Sequence, residues 1–294
     1  MSRLIHPEHV IMGERIASST DAALPACWSS TSTSENGRQL PNAGWSRIVA
    51  DIVSPTSGWA MTQEIRLFGA IAVRPAVLAL LPRFETATGL TVAVKWEVNP
   101  TVKKQIEAGE AFDLVIINPP MVRDLTALGK VMGGSDVAFG RIGMGVAAKA
   151  GSRPLDIGSV EAFTDALKSA ASIAYASDGT SGGYFLGLLD RLGIADEVKP
   201  KLVAIAGGQT ALAVGRGEAE LAVVPVTSIL AAAPEVVLVG QFPAELQSYI
   251  DFAIGISVDS RDAKAAKRLS EFLASPAVDD ILKVKGVERR RESA

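Results

Sequence analysis

A two-lobed α/β fold is predicted by three features of this 294-residue chain. From Glu64 onward, short apolar runs alternate with segments whose apolar residues recur at helical spacing. That order of elements makes parallel strands with helices on both faces of each sheet. The alternation then restarts after a long strand-like segment, Arg141 to Lys149, so two sets of similar size are expected. The composition agrees, with 48% hydrophobic and 21% charged residues, enough apolar surface for a substantial core.

Residues 1–61 precede the pattern. They have mixed polarity, with Ser18-Ser19-Thr20 and Ser29-Ser30-Thr31-Ser32-Thr33-Ser34 and no sustained periodicity, and read as a disordered leader. Met61 stands directly before the first strand, which makes it a candidate translation start. No basic segment followed by an apolar run marks a secretory signal, and no stretch is apolar enough to span a membrane. A cytoplasmic location follows, or a periplasmic one if the start is misassigned.

Ile65 to Phe68 is the first strand. Val73 to Thr86 is a helix with Val77, Leu80, Leu81 and Phe84 on one face, stopped by Gly89, and Thr91 to Trp96 is the second strand. A helix from Thr101 to Gly109, a buried strand from Asp113 to Ile117 and a short helix from Met121 to Gly129 follow. After Arg141–Lys149 come helices at Ser159–Ala170, Tyr184–Leu192 and Gln209–Arg216, and strands at Ile173–Ala176, Leu202–Ile205 and Leu221–Val224. Val236–Val239 and Phe252–Val258 are further strands, and two helices, Ala263–Ala274 and Ala277–Lys285, close the chain. Residues 64–140 with 248–288 are expected to form one lobe and 141–247 the other.

Several function classes are excluded. A formal net charge of -3 with scattered Lys and Arg leaves no footprint for nucleic acid. Cys27 is the single cysteine, and His6 and His9, the two histidines, lie in the first ten residues. The folded body therefore has no imidazole for a catalytic triad and no Cys-based or His-rich metal site. Walker, Gly-x-Ser-x-Gly and dinucleotide motifs are absent. Neither metal nor cofactor is expected.

Ligands of open α/β sheets bind beyond the carboxyl ends of the strands. Six loops qualify: Gly69 to Ala72, Glu97 to Pro100, Asn118 to Pro120, Ser177 to Gly183, Gly207 to Gln209 and Pro225 to Ser228. Asp178-Gly179-Thr180-Ser181-Gly182-Gly183 stands out. A small-residue turn between strand and helix leaves backbone N–H groups unpaired at the positive end of the helix dipole, with hydroxyls beside them. Thr180, Ser181 and the N–H of Gly182 are candidate contacts for a small anion. Asp178 serves either as an Asx-turn acceptor or as a base.

With these segments laid out, residues 64–288 resemble the molybdate-binding-protein (ModA-like) branch of type II solute-binding proteins. The resemblance is carried by Phe68-Gly69-Ala70-Ile71-Ala72, by Gln105-Ile106-Glu107-Ala108-Gly109-Glu110-Ala111-Phe112-Asp113-Leu114, and by Gly179-Thr180-Ser181-Gly182 with Tyr184. Arg191 to Ile194, Gly217 to Leu221 and Pro243 to Gln247 add to it. It implies two lobes that close on a small anion held by hydroxyls and backbone N–H groups. Family members that bind molybdate carry serines where this chain has Ala72 and Asn99, and an aromatic where it has Pro225. Each lost hydrogen bond to an anion is worth about 1.5–3 kcal/mol, so molybdate is disfavoured. Arg74, Asn99, Asn118, Arg141 and Gln209 suit a planar carboxylate instead, for which Arg offers a bidentate fork.

The candidate ligand contacts are thus Ala70, Ile71, Ala72, Arg74, Asn99, Asn118, Thr180, Ser181, Gly182, Gln209 and Thr227. Two functions are weighed. One is a binding protein for a small carboxylate or oxyanion, for which the sequence leaves a transporter partner undecided. The other is an isomerase of a small unsaturated polycarboxylate, because the resemblance extends to aconitate isomerase. Asp178, Glu97 and Lys95 are then the titratable candidates near the loops.

Overall fold

A computed structural model describes residues 64–289. The expected leader, with His6, His9, Cys27 and Met61, lies outside the described residues. Strand β1 is Glu64–Ala70, followed by a 3-10 turn, Ile71–Val73, and helix α1, Arg74–Thr88. Ala76, Val77, Leu80, Leu81 and Phe84 form the buried face of α1, and Gly89, at φ 70°, ends it by donating to the Glu85 carbonyl. Only glycine takes that left-handed cap without strain. Then come β2 (Thr91–Glu97), α2 (Asn99–Glu107), β3 (Leu114–Ile117), α3 (Pro119–Ala127) and β4 (Val137–Lys149).

The second set is α4 (Val160–Ser169), β5 (Ile173–Ala176), α5 (Thr180–Arg191), α6 (Ala195–Val198), β6 (Leu202–Ile205), α7 (Thr210–Gly215), β7 (Leu221–Pro225) and α8 (Val226–Ala231). Strands β8 (Val236–Gln241) and β9 (Tyr249–Ile256) and helices α9 (Ala263–Ala274) and α10 (Asp279–Val284) complete it.

The strands follow the order β2-β1-β3-β9-β4-β7-β5-β6, with β8 also paired to β4. Three strands run parallel in each half, β2-β1-β3 and β6-β5-β7. Strands β9 and β4 join the halves and pair antiparallel with their neighbours. The expected parallel strands are therefore found at the two ends of the sheet, not through its middle. Strand β4 passes from one half to the other: Val137 to Gly143 pair with β9, and Met144 to Ala148 with β7. Parallel strands buried on both faces must be almost wholly apolar, and Leu114–Ile117 and Leu221–Pro225 are fully buried.

Asp113, just before β3, fastens the first half together. One carboxylate oxygen accepts from the Arg66 N–H and Nε at 2.8 and 2.9 Å. The other accepts from Arg66 Nη2, Ser260 Oγ and the Arg261 N–H, each at 3.0 Å. Burial raises the pKa of this carboxyl, but these donors outweigh it and hold the value down to about 2.

Three boundaries differ from the sequence expectation at the place that matters for function. α2 begins at Asn99, α5 at Thr180, and Val226 to Ala231 form helix α8 where a loop was expected. Glycines and prolines in the first turn mask a helix start in sequence, although Pro is at home there because its missing N–H would be unpaired anyway.

Candidate functional site

The carboxyl ends of β1, β2, β5, β6 and β7 meet around a cavity of about 40 Å³. Its wall combines Ala70, Ile71 and Ala72 after β1 with Val98 and Asn99 after β2. Gly179, Thr180 and Ser181 follow β5, Gly207, Gly208, Thr210 and Ala211 follow β6, and Pro225 and Ser228 follow β7. Ile250 and Phe252 of β9 close it. The halves touch directly here, because a Cβ at Gly207 would strike Val98 and one at Gly208 would strike Ile71. Gly208 also sits at φ 84°, so both space and backbone conformation call for glycine.

The helix starts around the cavity leave donors unused. The first N–H groups of a helix have no intrahelical acceptor. At α2, α5, α7 and α8 no side chain caps them, whereas α4 and α9, which line no part of the cavity, are closed by Ser159 and Asp262. The short α6 and α10 begin uncapped as well, so side chains must decide. Thr210 does so. It is 2% exposed, lines the cavity, and its Oγ1 has no hydrogen-bond partner. A buried hydroxyl without a partner costs about 1–3 kcal/mol, which a ligand acceptor would recover. Ser181, 5% exposed, lines the same cavity, and no described residue accepts from or donates to its hydroxyl.

An asparagine network carries the strand-end loop after β3. Asn118 Nδ2 donates to the Asp251 carbonyl at 2.8 Å, which fixes the amide and turns Oδ1 outward. Thr180 Oγ1 donates to that Oδ1 at 3.2 Å, and the Asn118 N–H donates to Asn99 Oδ1 at 3.2 Å. The network links Asn99 and Asn118 in the first half to Thr180 in the second. Asn99 keeps Nδ2 without an acceptor among the described residues.

The structure brings Ala70, Ile71, Ala72, Asn99, Thr180 and Ser181 to the cavity wall. Others lie elsewhere. Gly182 is spent within the fold, its N–H donating to the Gly179 carbonyl at 3.2 Å. Gln209 is exposed and Thr227 is fully buried outside the wall; the residues one place further on, Thr210 and Ser228, are the ones that face in. Arg74 stands in an outer groove of about 310 Å³ bounded by Ile71, Gly208 and Ser228. Arg141 lies over the Tyr249 ring, 3.9 Å from its centroid, and pairs with Glu288 at 3.2 Å.

Of the titratable candidates, Asp178 Oδ1 accepts from the Gly207 N–H at 2.8 Å, the turn-fastening role. Lys95 pairs with Glu110 at 2.5 Å on the outer face, and neither Lys95 nor Glu97 lines a described cavity. No Asp, Glu, Lys, Arg or Tyr contributes to the small cavity. The polar side chains on its wall, Asn99, Thr180, Ser181, Thr210 and Ser228, are all neutral. Sequence reasoning missed Thr210 and Ser228, each one place beyond the candidates Gln209 and Thr227, because it does not fix the starts of α7 and α8 to the residue.

Beside this cavity, across Thr180, Ile250 and Phe252, lies a larger one of about 800 Å³. Among the described residues no cluster of His, Cys, Asp and Glu stands ready for a metal, and no helix is long and apolar enough to cross a membrane.

The fold has counterparts. The periplasmic molybdate-binding protein of Azotobacter vinelandii superposes with a TM-score of 0.68 at 18% identity, covering 77% of this chain and 100% of that one. The sulfate-binding protein SubI of Mycobacterium tuberculosis superposes with a TM-score of 0.62 at 17% identity, over 76% and 86% of the two chains. A Pseudomonas sp. aconitate isomerase is 29% identical over 200 residues, 66% of this chain and 76% of that protein. The family model described as bacterial extracellular solute-binding protein matches residues 65–288, nearly the whole described body. The chain belongs to that solute-binding family, and its architecture is the two-lobed, ModA-like one that its sequence resembles.

Proposed function

We propose that the protein binds a small anion, a carboxylate group or a compact oxyanion, in the cavity between its two halves. The unpartnered, buried hydroxyl of Thr210 carries this reading, supported by Ser181 and by the helix starts on the same wall that no side chain caps. Neutral donors suffice for an anion in a water-poor cavity, because each hydrogen bond to a charged acceptor is worth about 1.5–3 kcal/mol. The molybdate- and sulfate-binding proteins of the same fold are consistent with it.

Thr210→Val separates stability from binding. It deletes an unsatisfied hydroxyl while keeping the shape, so the free protein is expected to melt at the same or a higher temperature. Affinity for the best anion is expected to fall by about 10- to 100-fold. Calorimetric titration of acetate, sulfate and molybdate against wild type and variant measures both. Equal affinities would remove Thr210 from the site. A panel in which no anion raises the melting temperature at high concentration would end the anion reading, since binding to the native state alone must stabilise it.

A second reading, isomerisation of a small unsaturated polycarboxylate, draws on the aconitate isomerase relative. Such a reaction removes a proton from carbon and returns one, so it needs a general base within reach. No titratable side chain lines the small cavity: Asp178, whose Oδ1 accepts from the Gly207 N–H at its wall, is held in a turn, and Asp136, Tyr184, Tyr249 and Asp251 line the larger cavity. Incubation with cis- or trans-aconitate in D2O, followed by proton NMR, is the test. Deuterium incorporation or interconversion supports catalysis; unchanged spectra leave binding alone.

A further inference from the structure

We infer that the natural ligand is a two-ended organic acid, with one acidic group in the small cavity and its carbon body and second acid in the adjoining large one. The inference rests on the anion-binding reading and adds the substrate class. The small cavity, about 40 Å³, has room for roughly three water-sized groups, where one water takes about 10–15 Å³. That is room for one carboxylate head or one compact oxyanion, and not for a whole organic acid.

The 800 Å³ cavity is of the size that holds whole metabolites, typically about 300–1,000 Å³. Its walls are mostly apolar and aromatic, with Tyr184, Tyr249, Met121 and Pro119, and charged side chains, Arg123, Asp136 and Asp251 among them, also line it. The two spaces share Thr180, Ile250 and Phe252. The partition between them includes the Thr180 to Asn118 hydrogen bond, which is long at 3.2 Å and neutral. A carboxylate is a stronger acceptor than an amide oxygen, so turning the Thr180 hydroxyl onto a ligand is favourable.

The second acid has a partner in Arg123. It is exposed on α3, lines the large cavity, and makes no ion pair among the described residues. The other arginine there is consumed: Arg289 pairs with Asp279 at 2.9 Å and donates to the carbonyls of Phe139, Leu273 and Ser275. Asp136 and Asp251 line the same cavity, so a second acid there is held by Arg123 against two carboxylates. An inorganic oxyanion fills only the small cavity and leaves Arg123 idle.

Titration of the full chain with acetate, succinate, glutarate, adipate and sulfate tests the assignment. At least one diacid is expected to bind about three- to fivefold more tightly than acetate, the upper range for one exposed charge-assisted contact with Arg123. Arg123→Gln should erase that increment while leaving acetate and sulfate within about twofold, as one exposed charge outside the small cavity predicts. Ala138→Trp, which fills the large cavity from an exposed wall position, should do the same through volume. The inference is overturned if diacids bind no tighter than acetate, or if their advantage survives both substitutions. If no anion binds at all, the anion-cavity reading itself fails, a different result from monoacids binding without a diacid advantage.

Discussion

Gly182→Ala is expected to lower the melting temperature by about 4–8 °C and to weaken any anion bound at Ser181 by more than about tenfold. Two effects of opposite sign compete. Alanine is the better helix former by about 1 kcal/mol, and Gly182 sits in the first turn of α5. A Cβ there, however, would run into the carbonyl oxygen of Ala176, at the end of β5, and lie 3.3 Å from the Tyr175 ring. A backbone carbonyl in a strand cannot swing aside as a side chain can, so overpacking at the upper end of its usual range, about 3 kcal/mol, wins. The net loss is about 2 kcal/mol. Relief requires α5 to lift away from β5, which carries Thr180 and Ser181 out of register with Thr210. Gly183→Ala is the control: the next residue has open space around its Cα, so the propensity gain of about 0.5–1 kcal/mol should appear undiminished. Thermal melts of both variants decide the matter. If Gly182→Ala is as stable as Gly183→Ala, helix α5 does not pack on β5 as described.

The same glycine marks where sequence reasoning reached its limit. The order of strands and helices was legible from periodicity, and Ile173–Ala176, Leu202–Ile205 and Ala263–Ala274 fall where the pattern placed them. Strand-end loops were legible as well, because chain direction in a parallel sheet dictates which ends face the ligand side. The side chains that turn inward were not. A helix that starts at Thr210 and not at Gln209 puts a hydroxyl at the cavity instead of a carboxamide, and a one-residue uncertainty is inherent in reading helix ends. Arg74 and Arg141 illustrate the second limit. Charge makes an arginine look like an anion partner in sequence, yet Arg74 stands in an outer groove and Arg141 lies against Tyr249 and Glu288. Free cations and occupied ones read alike until their neighbours are known. The third is long range: the mutual contacts of Asn99, Asn118 and Thr180 span 19 and 62 positions, and no local pattern encodes them.

Asp113→Ala is expected to be the most damaging single change, costing about 3–5 kcal/mol, because it strands a partly buried guanidinium as well as two backbone N–H groups. Its carboxylate ties Arg66 of β1 to Ser260 and Arg261, after β9, so three parts of the first half lose a common acceptor. The charge has its own signature in acid. With the folded-state pKa near 2 against an ordinary 3.8, the stabilisation is complete above about pH 4 and is lost as pH falls through 2. A shift of that size is worth about 2 kcal/mol. Asp113→Asn keeps the shape but cannot titrate. Denaturant unfolding of wild type at a series of pH values between 5 and 2 should therefore lose about 2 kcal/mol more than the Asn variant does, with the two converging at the acid end. Parallel losses in the two proteins would mean that Asp113 is not held as an anion, and the Arg66 pairing that joins β1 to β3 would have to be abandoned with it.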